Sequence, residues 1–244
     1  MRIVYGINPA REVLKTNARG IEKVLYTLPK TSPNSAAADI VKEAKGRGVK
    51  TIETDRKELD KVSDSPQHQG VVLLVRQDYE YKVFEDIVDN EGTPHKLIVL
   101  LDGITDPQNF GSIIRASVCA GATGIMIPKD RSVAVTPVVT KASAGATEHI
   151  DIAKVTNIAS AIRDLKDANI WVGGLAGGEG EDIFKSDLKR DLAIVVGSEG
   201  DGMRRLVKEE CDFLLSIPMS GGFDSLNASQ AAVVALFEAR RQSS

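Results

Sequence analysis

Three short stretches of this 244-residue chain combine polar side chains with glycines in a way that suits ligand binding. The first is NFGSIIRAS, in which Asn109 and Arg115 stand six residues apart after the apolar run LIVLLDG. Open α/β sheets place their ligands at the carboxyl ends of strands, where such a turn would lie. We therefore predict a helix from about Gly111 to Cys119, with Arg115 about one turn inside it. Taken singly, Asn109 is equally typical of a helix cap and Arg115 of a solvated side chain.

The second stretch is GSEGDG, which directly follows the apolar run LAIVV. Its glycines stand at positions 197, 200 and 202, around Ser198, Glu199 and Asp201. Glycine permits positive φ and close approach of the backbone, so this loop can present amide and carbonyl groups to a ligand. A simple strand-to-helix turn needs similar residues, and a glycine-rich loop alone is a weak signal.

The third stretch, LLSIPMSGGFDSLNASQ, joins an apolar run, a glycine-containing loop and the start of a C-terminal amphipathic helix. Ser225, Asn227 and Ser229 cluster at this start, where Ser225 or Asn227 would also suit an N-cap. The helix continues with small residues that predict close packing, either against a partner subunit or within the core. These are Ala228, Ala231, Ala232 and Ala235.

The pattern of apolar and polar residues predicts an α/β chain in two parts. Strands and helices alternate over residues 1–76, beginning with a helix that Asn8 would cap and Pro9 would open. We place a linker at residues 77–95, an acidic segment that ends in a Gly-Thr-Pro turn. Residues 96–244 contain short, continuous apolar strands, which are typical of a parallel sheet covered on both faces.

Composition narrows the function classes. A net charge of −3 and a pI near 5.7 argue against a protein that coats nucleic acid through bulk positive charge. The charge is uneven, however: residues 1–75 hold 13 basic and 9 acidic residues, so a nucleic acid would face this part. Two cysteines outside any C-x-x-C and three scattered histidines predict no metal site. With no signal peptide and no apolar run of about 18 residues, we expect a cytoplasmic protein without a membrane span.

Together and in this order, the motifs N-x-G-x-x-x-R, G-S-E-G-x-G and I-P-M-x-G-x-x-x-S-L-N-x-S resemble the SpoU branch of the SPOUT RNA 2'-O-ribose methyltransferases. The resemblance covers residues 97–244. In addition, YGINPAREVL and HQGVV look like the substrate-binding domain of the members that methylate guanosine in 23S rRNA. The resemblance implies a parallel α/β domain with a deep trefoil knot, preceded by a small L30e-like α/β domain.

The resemblance also implies S-adenosylmethionine as the cofactor, bound in the knot cleft by backbone groups. The matching positions are Leu175, Ala176, Gly197, Ile217, Met219 and Leu226. A dinucleotide would want a G-x-G-x-x-G with a following acidic residue, and the sequence contains none.

The implied reaction is attack of a ribose 2'-oxygen on the sulfonium methyl group. Arg115 would bind the phosphate beside the target ribose, because arginine is normally a permanent cation and a poor base. Glu199 would be the base or an anchor for Arg115. Asn109, Ser225 and Asn227 would orient the arginine, the hydroxyl and the cofactor. The family works as homodimers on structured RNA, so a two-fold dimer is expected here.

Other functions remain open at this point. A dinucleotide-binding enzyme would share the fold class and the glycines at 173–180. A non-catalytic RNA-binding factor for ribosome assembly would keep the fold without the reaction. Within the methyltransferases the substrate could be tRNA, although the N-terminal domain favours rRNA.

Overall fold

The computed structural model describes residues 1–28, 35–89, 95–130, 132–220 and 225–243. Contacts divide the chain into two compact units. The first comprises Met1–Glu80 and Val135–Glu148, and the second comprises Tyr81–Ala134 and His149–Ser244. The segment Val135–Glu148, which the sequence places in the second domain, thus packs with the first unit. The exact domain division at residues 77–95 stays a prediction.

A four-stranded mixed sheet forms the first unit, in the order β1-β4-β2-β3. Its strands are β1 (Arg2–Tyr5), β2 (Ile21–Tyr26), β3 (Thr51–Glu53) and β4 (Val71–Val75). Strand β4 is antiparallel to both β1 and β2, and β2 is parallel to β3. The helices are α1 (Ile7–Asn17), α2 (Ala36–Gly46), α3 (Arg56–Ser63) and, from the later segment, α6 (Pro137–Ala142), with 3₁₀ turns at Ala18–Gly20 and Ala146–Glu148.

The helices of the first unit cover both faces of its sheet. Val13 of α1 and Ile40 of α2 share one apolar cluster with Val4 of β1. Leu59 of α3 belongs to a second cluster with Tyr5, the next residue of β1. Because successive strand residues point to opposite faces, α1 and α2 lie on one face and α3 on the other.

Helix α1 begins earlier than predicted. Its N-cap is Gly6, with φ +94°, and the Ile7 N–H donates to Oε1 of Gln69 at 3.2 Å. The prediction that Asn8 caps this helix is wrong, since Asn8 already lies in its first turn. Glycine reaches the positive φ without steric cost, and the side chain of Gln69 takes over the role of the missing cap.

The second unit contains a seven-stranded sheet in the order β7-β6-β5-β10-β8-β11-β9, and all of its strand pairs are parallel. The strands are β5 (Leu97–Asp102), β6 (Gly124–Pro128), β7 (Asp151–Val155), β8 (Trp171–Leu175), β9 (Glu181–Asp182), β10 (Leu192–Gly197) and β11 (Phe213–Ser216). The helices are α4 (Phe84–Val88), α5 (Pro107–Ala120), α7 (Ile158–Asp167), α8 (Arg205–Glu210) and α9 (Ala228–Ser243).

Both faces of this sheet are covered. Helices α4, α7 and α8 contribute to one apolar cluster with alternate residues of β5, such as Ile98. The intervening residue Val99 is also fully buried, and α5 packs against α9. Helix α4 falls inside the predicted linker, yet its Ile87 and Val88 are part of the core. The α/β class with a parallel sheet and a small N-terminal unit is confirmed.

The strand order positions the site. From β5 the chain runs outward through β6 to β7, whereas β10, β8, β11 and β9 lie on the other side of β5. Strand β10 follows β8 and β9 in the chain, yet it lies between β5 and β8 in the sheet. The carboxyl ends of β8, β10 and β11 therefore meet at one edge, beside the point where the strand order reverses.

Among the described residues, no helix is both long and apolar enough to cross a bilayer.

Candidate active site

An open cleft of about 680 Å³ lies at the carboxyl edge of the seven-stranded sheet. The segments after β8, β10 and β11 and the start of α9 line it, and its volume is in the usual range of small-molecule sites. The cleft brings together all six residues that the resemblance assigns to the cofactor: Leu175, Ala176, Gly197, Ile217, Met219 and Leu226.

A single carboxylate oxygen joins three of the predicted catalytic residues. Nδ2 of Asn109 donates to Oε1 of Glu199 at 2.7 Å, and Nδ2 of Asn227 donates to the same oxygen. The second oxygen, Oε2, accepts no hydrogen bond from the described residues. Glu199 lines the cleft, so this oxygen is available to a bound molecule.

Asn227 forms hydrogen bonds both to the start of α9 and to Glu199. Its Oδ1 accepts hydrogen bonds from the backbone N–H of Ser229 at 2.9 Å and from the Ser229 hydroxyl at 2.7 Å, at the start of α9. Its amide nitrogen remains free to donate to Glu199. The predicted capping role and the predicted site role are therefore compatible. Ser225 is exposed and lines the cleft.

The GSEGDG loop is a tight hairpin with Glu199 at its tip. Ser198 and Gly202 exchange backbone hydrogen bonds of 3.0 and 3.1 Å, and Gly202 has φ +69°. A Cβ at Gly197 would lie 2.3 Å from the carbonyl carbon of Gly202 and from the nitrogen of Met203. Glycine is thus required at 197 for the loop to fold back on the end of β10.

Helix α5 begins at Pro107, four residues before the predicted start. Asp106 is its N-cap and accepts the Asn109 N–H at 2.9 Å. The alternative in which Asn109 itself caps the helix is therefore wrong. Because Asp106 satisfies this end of the helix, the Asn109 side chain can reach Glu199.

An ion pair between a buried carboxylate and a half-exposed arginine, which none of the three motifs indicates, supports the loop. The Asp102 side chain is fully buried at the end of β5 and accepts hydrogen bonds from the side chain and backbone of Arg204. The sequence signal for this ion pair is the single acidic residue at the end of the otherwise apolar run LIVLLD, since a carboxylate is rarely buried without a partner.

Arg115 is placed differently from the other predicted catalytic residues. It is exposed on α5, and it forms no hydrogen bond or ion pair within the described part of the chain. The alternative in which Glu199 anchors Arg115 is accordingly not seen in the structure. Its guanidinium is available to a phosphate or to another subunit.

The lining of the cleft is acidic. It includes the carboxylates of Glu179, Glu199 and Asp201 and one lysine, Lys208, which pairs with Glu179. A ligand with a net positive charge is favoured in such surroundings. The described residues include no group of three or more His, Cys, Asp or Glu side chains that could hold a metal ion.

Comparison with known proteins assigns the class. The model of the SpoU rRNA Methylase family matches residues 96–237, and the model described as RNA 2'-O ribose methyltransferase substrate binding matches residues 3–81. A parallel α/β sheet with a cleft at its carboxyl edge and these matches define an RNA methylase fold. The chain belongs to the SpoU rRNA methylase family, which confirms the resemblance drawn from the motifs.

Individual relatives are similar over nearly the whole chain. The 23S rRNA (guanosine-2'-O-)-methyltransferase RlmB of Vibrio vulnificus (strain CMCP6) is 40% identical over 242 residues, covering 98% of this chain and 96% of the relative. RlmB of Ralstonia nicotianae is 37% identical over 244 residues, covering 100% and 96%. Among solved structures, the AdoMet-bound rRNA methyltransferase from Sinorhizobium meliloti matches with a TM-score of 0.78 and 26% identity, covering 98% and 87%.

Proposed function

We propose that this chain transfers a methyl group from S-adenosylmethionine to a ribose 2'-oxygen of 23S rRNA, with guanosine as the favoured nucleotide. The observation that carries the proposal is the cleft in which Asn109 and Asn227 hold Glu199 beside the predicted cofactor residues. The names of the full-length relatives support the choice of rRNA and of guanosine.

The cleft fits the cofactor by shape and charge. Leu175, Ile217 and Leu226 provide apolar surface for an adenine ring, and the backbone at Gly197 can approach a ligand closely. S-adenosylmethionine carries a sulfonium, an ammonium and a carboxylate, hence a net positive charge that the acidic lining complements. When bound, it supplies an electrophilic methyl group with a good leaving group.

Glu199 is proposed to receive the hydrogen bond, and then the proton, of the attacking 2'-hydroxyl. Its Oε1 is held by two amide donors, whereas Oε2 is open towards the cleft. A positioned acceptor is needed because a ribose hydroxyl is a poor acid. Ser225, at the rim of the same cleft, would help to orient the hydroxyl.

Arg115 is proposed to bind the phosphate next to the target ribose. Its guanidinium has no partner among the described residues, and arginine pairs with phosphate through two parallel hydrogen bonds. Because it does not line the cleft of its own chain, we propose that it acts in a two-fold homodimer, at the cleft of the partner subunit.

Three further proposals concern the knot, the N-terminal domain and the location of the protein in the cell. The insertion of β10 between β5 and β8 supports a trefoil knot in the second unit. The match of residues 3–81 to a substrate-binding model supports an RNA-binding N-terminal domain. A role in bacterial rRNA modification supports a cytoplasmic location.

The rival functions are less well supported. The pyrophosphate of a dinucleotide would face the carboxylates of Glu179, Glu199 and Asp201, and like charges repel. A non-catalytic assembly factor would not need the Asn109–Glu199–Asn227 arrangement. A tRNA substrate remains the alternative within the methyltransferases, and product mapping distinguishes it.

The decisive experiment is transfer of radiolabelled methyl from S-adenosylmethionine to total RNA that lacks this modification, followed by mapping with ribose-methylation-sensitive cleavage. The wild type is expected to label a 2'-oxygen in 23S rRNA. Arg115→Ala is expected to lose this label, whereas Arg205→Ala, at a largely exposed arginine of α8, should retain it. A folded Arg115→Ala variant with near-normal transfer would refute the role of Arg115.

The oligomeric state is tested by sedimentation at micromolar concentration. A dimer is expected, and a monomer that still methylates RNA would contradict the proposed placement of Arg115.

A further inference from the structure

The excess positive charge of the N-terminal part is confined to two helices and their ends. Residues 7–20 and 36–50 together hold seven basic and three acidic residues. The other positions up to 75 hold six of each sign. The whole net charge of +4 in residues 1–75 therefore lies on α1, α2 and the residues that directly follow them.

These two helices share one face of the four-stranded sheet. Both contribute to the apolar cluster with Val4, and they pack against each other. Helix α3, on the opposite face, is different in charge: residues 54–67 hold three basic and four acidic residues. The first unit thus has one positive face and one that is slightly acidic.

The basic side chains of the positive face are available to a ligand. Arg19, Lys42, Lys45 and Lys50 are exposed and form no hydrogen bond or ion pair with the described residues. Lys15 and Arg47 form only helix-surface pairs with acids three or four positions away, at 2.9 Å, which contribute little to stability. Stabilisation of helix C-termini accounts for the lysines in the last turns, but not for Lys42 or Lys50.

We infer that the positive face, formed by α1, α2 and the residues that follow them, binds the phosphate backbone of structured rRNA. The inference rests on the proposed function, and it names the surface that holds the substrate. The second unit, which contains the cleft, holds 16 basic and 22 acidic residues, so its net charge of −6 repels RNA and a separate anchor is needed. Lysine and arginine on one surface recognise A-form RNA through phosphates and shape, not through sequence.

The test measures binding of unmodified 23S rRNA transcript to the full-length protein as a function of salt. Two double variants neutralise the positive face: Lys42→Gln with Lys45→Gln, and Arg19→Gln with Lys50→Gln. A matched double variant on α3, Lys57→Gln with Lys61→Gln, is the control. Each of the first two is expected to raise Kd about tenfold at 0.15 M salt and to reduce the salt slope by roughly 1.4–1.8, because about 0.7–0.9 is lost for each of two phosphate contacts. The control should stay within about twofold.

Further measurements separate this inference from the proposed function. Affinity for S-adenosylmethionine should not change in any variant, since all the substituted side chains are exposed. The melting temperature should change only slightly, by the small contribution that Lys45 makes at the end of α2. Equal weakening in the α3 control would show diffuse attraction and overturn the inference, as would unchanged binding in both α1/α2 variants. If the wild type binds the transcript through this face but transfers no methyl group to any RNA, the proposed function fails and the surface assignment stands.

Discussion

Arg204 donates to the buried carboxylate of Asp102 from Nε at 2.7 Å, from Nη2, and from its own backbone N–H at 2.8 Å. Asp102 ends β5, and Arg204 follows the GSEGDG loop. The other end of that loop is fixed because Gly197 of β10 pairs in register with Asp102. Asp102 of β5 therefore holds both ends of the loop that carries Glu199.

Substitution Asp102→Asn is expected to weaken S-adenosylmethionine binding about tenfold or more and to destabilise the protein by about 1–3 kcal/mol. An amide offers one acceptor oxygen where the carboxylate offers two, so a donor of Arg204 loses its partner and the loop is released. Isothermal titration and thermal unfolding measure the two effects. Asp164→Asn, at an exposed position of α7, is the matched control and should change neither. Unchanged cofactor affinity in a destabilised Asp102→Asn protein would show that the pair is only structural.

The two asparagines that hold Glu199 should act as one unit. Asn109→Ala and Asn227→Ala are each expected to lower kcat about tenfold, because the carboxylate can then rotate away from the hydroxyl. The double variant should lose much less than the product of the two effects, since both amides donate to one oxygen. Single-turnover methyl transfer at saturating cofactor and RNA gives the rates.

Two checks accompany this double-mutant cycle. Asn227→Ala also removes a hydrogen bond to Ser229 worth about 1 kcal/mol, so thermal unfolding must confirm that the variants are folded. Gln230→Ala, an exposed residue of the same helix, should have the wild-type rate. Independent, multiplicative losses would mean that the asparagines do not work through Glu199.

Gly197→Ala is expected to abolish measurable cofactor binding and to lower the melting temperature by several degrees. The added Cβ would overlap backbone atoms of Gly202 and Met203, which cannot move without opening the hairpin. Gly46→Ala is the control: its Cβ would meet nothing within 4 Å, and helix propensity favours alanine by about 1 kcal/mol. Normal cofactor affinity in the folded Gly197→Ala protein would contradict the requirement for close backbone approach.

Much of the fold could be predicted because apolar periodicity is a local property. The continuous run LIVLLD predicts a buried parallel strand, and β5 is one, with both Ile98 and Val99 fully buried. The strand order, by contrast, depends on pairing between distant segments, and no local pattern predicts that β10 lies between β5 and β8. The sequence predicts a linker where α4 lies, because only Phe84, Ile87 and Val88 face the core in a short, acidic segment.

In the candidate site, too, local motifs can be predicted from the sequence, whereas contacts between distant residues cannot. The loops that the resemblance assigns to the cofactor lie together at the carboxyl edge, and Asn109, Glu199 and Asn227 are hydrogen-bonded together, whereas their roles stay predictions. The pairing of Asp102 with Arg204 could not be read from the sequence, because a salt bridge across 102 positions leaves no periodic trace. Arg115 does not line the cleft of its own chain, and its exposed position on α5 could not be read from the motif.

The final prediction concerns Cys211, which lies beside the cleft and packs against Gly174 and the apolar core. Burial, helped by the neighbouring carboxylate of Asp212, raises the pKa of the Cys211 thiol to about 12. In a Cys119→Ser variant Cys211 is the sole thiol, and at pH 8 its thiolate fraction should be roughly 1000-fold below that of an unfolded chain with a pKa near 9.

Ellman's reagent should therefore react very slowly with the folded Cys119→Ser variant and rapidly after unfolding in guanidinium. Because the folded state favours the neutral thiol, the stability that Cys211 contributes is complete below pH 9 and declines as the pH rises towards 12. Adding Cys211→Ser to the Cys119→Ser variant would remove this alkaline decline. The difference between the free energies of unfolding of these two variants above pH 9 measures it. Rapid reaction of the folded variant at pH 8 would show that the loop between α8 and β11 opens freely, which would also weaken the assignment of a fixed cofactor cleft.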